Sequence, residues 1–574
     1  MNLKNTIKKD IQDALIKIAI INCDPVITLN KKTKIGHYQL NNLIKIANIS
    51  NLKPFELANR IILNIKKKYM YKEITFSQPG FINFLINPYW ISEQLEKIFL
   101  SPRLGINHVN AQNIVIDYSS PNIAKEMHIG HLRSTIIGDV MARILDFLGH
   151  NVIRANHIGD WGTQFGMLIA YLEVKKLVNS PLSLMKLEEY YCKAKKKYDI
   201  DQLFAEKSRE YVVKLQNGDQ YCYSIWKKLV SITMLENCKI YKRLHVTLKK
   251  KHTMGESIYN KMLPNIIEDL KNKKIAIEKN GSTIVFLKEF KNRLGEPMGV
   301  VIQKKDKGFL YSTTDIACLK YRYQVLHADR IIYYTDSRQH QHLLQAWTIA
   351  KKALYISQNL LLEHHIFGMM LSKDKRPFKT RDGDTIKLSA LLDEATERAM
   401  RLIKNKQPNL SKKKLNQLSN IIGVGAVKYA DLSKNRNTNY IFDWNEMLSF
   451  EGNTAPYIQY AYTRIVSILK KSNMPIKKLK EKIFLTKESE INLAIKILEF
   501  EEIILLISQK GTPHILCKYL YHLATSFSHF YENCSILFPK KIKTCKSRLK
   551  LSILTAKTLK KGLNMLGIRV VKKM

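Results

Sequence analysis

The stretch from Ile114 to Met167 reads strand, loop, helix, strand, loop, and that order confines this part of the chain to an open α/β sheet. Ile114-Val115-Ile116 is a short β-rich run ending at Asp117, and Pro121 lies in the polar loop behind it. His128-Ile129-Gly130-His131 then opens a helix whose apolar positions include Ile136, Ile137, Val140, Met141, Ile144, Leu145 and Leu148, and Gly149 stops it. The run IRANHIGDWGTQFGM over 153–167 adds the second strand and a glycine-rich loop.

A helix start offers free backbone N–H groups and the positive end of the helix dipole to an anion such as a phosphate. His128 and His131 are three residues apart, so on the first turn they point the same way and can donate together to phosphate or ribose oxygens. Gly130 between them leaves room for a base or sugar to approach the backbone. Taken alone, the tetrapeptide fits two solvated or capping histidines equally well.

The flanks narrow this. Pro121-Asn122-Ile123-Ala124-Lys125-Glu126-Met127-His128-Ile129-Gly130-His131, within SSPNIAKEMHIGHLRSTIIGD, resembles the HIGH signature of class I aminoacyl-tRNA synthetases in the form typical of arginyl-tRNA synthetases. ANHIGDWGTQFG is similar to the segment that follows it in that family. The resemblance implies a Rossmann-like catalytic domain that binds ATP, with Mg²⁺ accompanying the ATP, through His128, Gly130 and His131.

A second block, MLSKDKRPFKTRDGD over 370–384, is on its own a basic turn ending in glycine, which by default is a solvated loop. It is similar to the family's lysine loop but has Pro377 where the usual KMSKS spelling begins with lysine, and Lys379-Thr380-Arg381 follows. The resemblance implies that Lys379 and Arg381 contact the triphosphate and that Lys125 stands in for the missing lysine. The expected catalytic set is His128, His131, Lys125 and Lys379.

A guanidinium is a flat cation with five donors and pairs best with carboxylates. Asp117 ends the first strand and Asp315 follows Tyr311 at a strand-to-helix corner, so both are expected at the carboxyl end of the sheet, where open α/β folds bind ligands. A capping role for Asp315 on the following helix is the alternative. Tyr311 to Asp315 and Asp336 to Gln339 resemble the family's arginine-binding segments, which implies that Asp315, Tyr311 and Gln339 hold the side chain with Asp117 assisting. Ser120, Asn122 and His131 would then fix the α-amino and carboxylate groups.

Around this core the pattern predicts a multidomain protein. Residues 1–108 read as a small α+β domain, 109–395 as the catalytic domain with a lysine-rich helical insertion at about 172–300, and 396–574 as an α-helical bundle; the resemblance implies that the first of these contacts tRNA. GVGAVKYADLS over 423–433 and FEGNTAPYIQYAYTR over 450–464 resemble the lead-in to the family's anticodon-binding domain. Tyr457, Tyr460 and Arg464 are the candidate tRNA contacts there, with buried packing as the alternative.

Lys plus Arg exceed Asp plus Glu by 94 to 49, a formal charge of +45, which suits a polyanionic partner but by itself identifies nucleic acid no better than an acidic membrane, with solvated lysine faces as the alternative. Eight cysteines without a C-x-x-C pair argue against a zinc ribbon, and no dedicated protein metal site is expected. Neither a cleavable leader nor a run of about 18 apolar residues is expected. The expected protein is a cytoplasmic monomer that activates L-arginine with ATP and transfers it to the 3′-terminal ribose of tRNA(Arg). A class I ligase for another amino acid, or a tRNA-binding scaffold that has lost catalysis, remain the rivals, the second favoured only by Pro377.

Overall fold

The computed structural model describes residues 2–30, 35–292, 294–372, 374–376, 386–475, 479–539 and 541–574. Its contacts divide into two units: one of 108–448 with 565–568, the other of 1–107, 449–564 and 569–574.

The first unit is built on a five-stranded sheet in the order Leu361–His364, Arg330–Tyr333, Asn113–Asp117, Asn151–Ile158, Thr253–Gly255. All four pairings are parallel, and Asp117 lies level with Tyr333 on one side and Ala155 on the other. Ile114, Val115 and Ile116 are wholly buried, as a strand covered on both faces requires. The chain leaves the central strand toward one edge and later returns on its other side. The crevice for a ligand therefore opens between Asp117 and Tyr333.

Helix Gly130–Leu148 makes the first crossover and ends at Gly149 in the left-handed region (φ 99°), whose N–H returns to the last turn. Gly138 lets this helix lie against the strand end, since a Cβ there would stand 2.3 Å from Tyr118 Cβ. Gly138→Ala should therefore lower the melting temperature of the unit. Overpacking costs about 1–3 kcal/mol, against a gain of about 1 kcal/mol from better helix propensity. A fluorimetric melt showing an unchanged or higher transition would mean that Tyr118 can yield.

Several expected elements differ. The helical insertion is interrupted near Gly218 (φ 81°), with Asp219 capping the next helix, so 205–229 is two helices and not one. The insertion expected to run to residue 300 contains the three-residue edge strand Thr253–Gly255 of the main sheet, followed by helix Leu263–Asn272 and an antiparallel three-stranded sheet. Tyr311 begins helix Tyr311–Gln324 where a strand end was expected, and Asp315 lies one turn in and does not cap it. Residues 396–448 cluster with the parallel sheet. Helices Leu388–Lys406 and Lys412–Leu432 pack together there, with Gly423 against the Ala395 carbonyl.

The second unit combines a four-stranded antiparallel sheet, Ile27–Leu29, Tyr38–Leu40, Phe81–Ile86 and Tyr71–Ser77 in that order, with helices from the N-terminal hundred residues. It also holds helices Ala455–Lys471, Glu488–Leu498, Phe500–Lys510 and His514–Asn533.

Candidate active site

The loop leaving Asp117 is bent hard. Ser119 (φ 75°), Ser120 (φ 45°) and Ala124 (φ 60°) occupy the left-handed region, which costs about 1–3 kcal/mol for each non-glycine residue and persists only where the surroundings enforce it. The restraints are explicit. The Ser119 N–H donates to Ser134 Oγ at 2.9 Å, the Ser120 N–H to Asn156 Oδ1 at 3.0 Å, and the Ala124 N–H to Thr233 Oγ1 at 3.1 Å. Ser119 Oγ also meets Tyr241 OH at 2.8 Å. Thr233 and Tyr241 belong to helix Gln220–Arg243, so the insertion braces the loop.

The loop delivers the two histidines side by side, rings 4.0 Å apart between centroids. His128 Nδ1 accepts the Gly130 N–H at 3.1 Å, and His131 Nδ1 accepts the His128 N–H at 3.2 Å. Each Nδ1 is thus unprotonated, and each Nε2 carries the ring proton as a donor. Burial lowers both pKa values, with Lys125 adding to the effect on His128 and His128 adding to it on His131, which falls to about 3. The pair is neutral at physiological pH. Lys125 is exposed and lies over the Tyr191 ring at 5.0 Å.

Lys379 and Arg381 lie outside the described residues, but the segment that follows them is tied to the histidine loop. Ile129 N–H donates to the Ile386 carbonyl at 3.0 Å, Leu388 N–H donates to the Met127 carbonyl at 2.9 Å, and Lys387 pairs with Glu126 at 2.9 Å. On the leading side, Arg133 of the histidine helix is buried and donates to the carbonyls of Gly368 (2.8 Å) and Thr438 (3.0 Å) while pairing with Asp431. Pairing of Met370–Leu371 with Tyr440–Ile441 continues that anchor. Sequence reading passed over Arg133, since an arginine in a helix reads as surface.

Asp117 requires a correction. Arg322 Nη2 stands 2.5 Å from its Oδ2, Ser120 Oγ donates to Oδ1 at 3.1 Å, and His157 Nδ1 is 3.6 Å away. Burial alone would raise its pKa, but Arg322 and His157 hold it well below the usual carboxylate range. The open acceptor expected here is occupied by the protein's own guanidinium. Asp315 is more accessible and accepts from His342 Nε2 at 2.5 Å, a bond that raises the histidine's pKa. Tyr311 is 67% exposed at the start of the same helix, and Gln339 is exposed in the turn Ser337–Gln339.

The acidic group missing from the sequence reading is Glu256. It follows the short edge strand, and among the described residues no lysine or arginine pairs with it. Burial raises its pKa to about 7, with His157 opposing and Asp315 and Asp160 reinforcing. Tyr311 feels the same carboxylate. Its lead-in is tight: a Cβ on Gly255 would fall 2.1 Å from Asp160 Oδ2. The charge of Asp315 acts on Glu256; carboxylates of this kind suit a cationic side chain, and the neutral imidazole donors of His128 and His131 suit a phosphate.

In the second unit, Tyr457 is partly buried with its ring 5.6 Å from Tyr521. Tyr460 is 41% exposed, and the Arg464 guanidinium sits between Tyr460 and Tyr531 at 5.3 and 5.2 Å. They line a groove of about 1150 Å³ that also takes in Phe538, 89% exposed, and Lys572, Lys573 and Met574. Tyr531 and Phe538 were not singled out from the sequence, because one lies on an amphipathic helix and the other in an unpatterned loop.

Comparison with known proteins gives three family matches: the catalytic domain of tRNA synthetases class I (R) over 94–444, the DALR anticodon binding domain over 458–574, and the arginyl tRNA synthetase N terminal domain over 2–86. The chain is 71% identical to the arginine–tRNA ligase of Buchnera aphidicola subsp. Schizaphis graminum and 54% identical to that of Serratia proteamaculans, each alignment covering 100% of both chains. Among solved structures it is similar to the arginyl-tRNA synthetase of Plasmodium falciparum, at TM-score 0.86 and 34% identity over 100% of this chain and 99% of that one. The fold also matches the Thermus thermophilus enzyme of that name, at TM-score 0.81 and 21% identity over the full length of both.

Proposed function

The chain belongs to the class I arginyl-tRNA synthetases and joins arginine to tRNA with ATP, and from that premise we propose how its residues divide the work. Glu256 and Asp315 take the substrate guanidinium, with Tyr311 and Gln339 beside it. Ser120, Asn122 and His131 hold the α-amino and carboxylate groups. The observation that carries this reading is Glu256, a half-buried carboxylate within range of the Asp315 charge that has no lysine or arginine partner among the described residues.

His128 and His131 then face the nucleotide with Nε2–H donors, supported by the bonds their Nδ1 atoms accept. Lys125, Lys379 and Arg381 neutralise the triphosphate, which enters with Mg²⁺. The arginine carboxylate oxygen attacks the α-phosphorus, the bond to the β-phosphate oxygen breaks, and pyrophosphate leaves. The terminal ribose hydroxyl next attacks the adenylate carbonyl, releasing AMP. Positioning and donors aimed at the developing phosphate charge supply the catalysis. No described helix is long and apolar enough to cross a membrane, and the reading includes a cytoplasmic enzyme acting as a monomer, which sedimentation at micromolar concentration checks.

Incubation with tRNA, ATP, Mg²⁺ and each radiolabelled amino acid in turn should charge arginine alone. Charging of another amino acid, or of none, would overturn the reading. Arg464 and Tyr460 are read as an RNA contact because the exposed Tyr460 ring and the half-buried Arg464 guanidinium over it line a basic groove. Base–aromatic stacking is worth about 1–3 kcal/mol per base, so Tyr460→Ala should raise KM for tRNA about 10- to 100-fold and leave KM for arginine unchanged. An unaltered tRNA KM would return Tyr460 to a packing role.

A further inference from the structure

Helix Tyr311–Gln324 carries Tyr311, Asp315, Cys318 and Arg322 at positions i, i+4, i+7 and i+11, a single stripe of the helix. On a helix packed against a sheet this stripe is ordinarily apolar. Here its deep end is a fully buried arginine, 0% exposed, with its guanidinium 5.2 Å from the Tyr333 ring centre and 2.5 Å from Asp117. Arg322 Nε and Nη1 are buried without a partner among the described residues. A buried ion pair of this kind gives weak support to stability, and apolar residues of similar volume often serve as well or better.

The pair sits at a junction. Asp117 Oδ2 takes Arg322, and Oδ1 takes the hydroxyl of Ser120 in the left-handed turn. One guanidinium therefore ties the helix bearing Tyr311 and Asp315 to the turn bearing Ser120 and leading to Asn122. We propose that Arg322 is a positioning residue for arginine recognition, setting the distance between the groups that hold the substrate's side chain and those that hold its α-amino and carboxylate end. This rests on the division of roles proposed above. Arg322 acts through Asp117 and does not touch the substrate.

The test is charging kinetics of Arg322→Met, Arg322→Lys, Asp117→Asn and the double variant Arg322→Met/Asp117→Asn, with far-UV circular dichroism and melting temperature recorded for each. Arg322→Met should raise KM for arginine about tenfold or more, change kcat less than threefold, and leave KM for ATP and tRNA as in the wild type. Arg322→Lys, which keeps the charge but not the fork, should recover part of the loss. The double variant should be no worse than the poorer single one, because both remove one coupling. Equal changes in all three KM values, no change in arginine KM, or additive losses would overturn the proposal. If Arg322→Met does not fold, Asp117→Asn and Arg322→Lys decide it: wild-type arginine KM in both overturns the role. Wild-type protein that fails to charge arginine refutes the functional reading instead.

Discussion

His128→Ala is expected to lower kcat for arginine charging about 100- to 1000-fold, the range measured when one preorganised donor to a developing oxyanion is removed. Affinity for tRNA should stay within about twofold. The size of the effect follows from how fully the imidazole is set in place. Its Nδ1 is occupied by the Gly130 N–H and its Nε2–H is directed by that bond, so it need not reorganise when charge appears on the phosphate. Its state is fixed as well. Burial lowers the pKa of both histidines below the usual imidazole value, so both are neutral at pH 7 and above. With arginine saturating, kcat should therefore be flat with respect to these two rings between pH 7 and 8. A histidine inflection near pH 6.5 that disappears in His128→Ala would sink the neutral-donor account.

Much of this site was legible because its parts are adjacent in sequence. Strand, turn and helix start occupy 114–148, and the positions of Ser120, Asn122, His128 and His131 follow from one local unit. What stayed hidden depends on distant pairing. Glu256 reaches the cleft on Thr253–Gly255, three residues with no alternating pattern, inside a stretch whose lysines and helices read as an insertion. Asp117 read as a free acceptor because its partner Arg322 lies 205 residues away on a helix whose spacing gives no sign of a buried charge. Tyr457 and Tyr460 share one helix, and only the packed face of that helix decides which of them meets solvent.

Glu256→Gln should lower kcat/KM for arginine about 30- to 1000-fold at pH 8, the range expected when one partner of a desolvated charge pair is removed. The loss should fall mainly in KM, since the guanidinium is far from the reacting carboxylate and its contact forms equally in ground and transition states. The pH dependence gives a second, independent reading. Glu256 has its pKa raised to about 7 by burial, and only the ionised carboxylate pairs with a guanidinium. Above pH 7 the free enzyme holds that form and KM is flat. Below pH 7 the protonated form prevails and KM should rise toward tenfold per pH unit, while kcat, measured with arginine saturating, does not follow. Glu256→Gln should abolish this slope, because the amide does not titrate. A variant that kept both the wild-type KM and the acid slope would remove Glu256 from the guanidinium site and leave Asp315 as the carboxylate that holds it. Asp315→Asn, and not Glu256→Gln, would then raise KM for arginine, because a guanidinium that loses its one charged acceptor is left desolvated and unpaired.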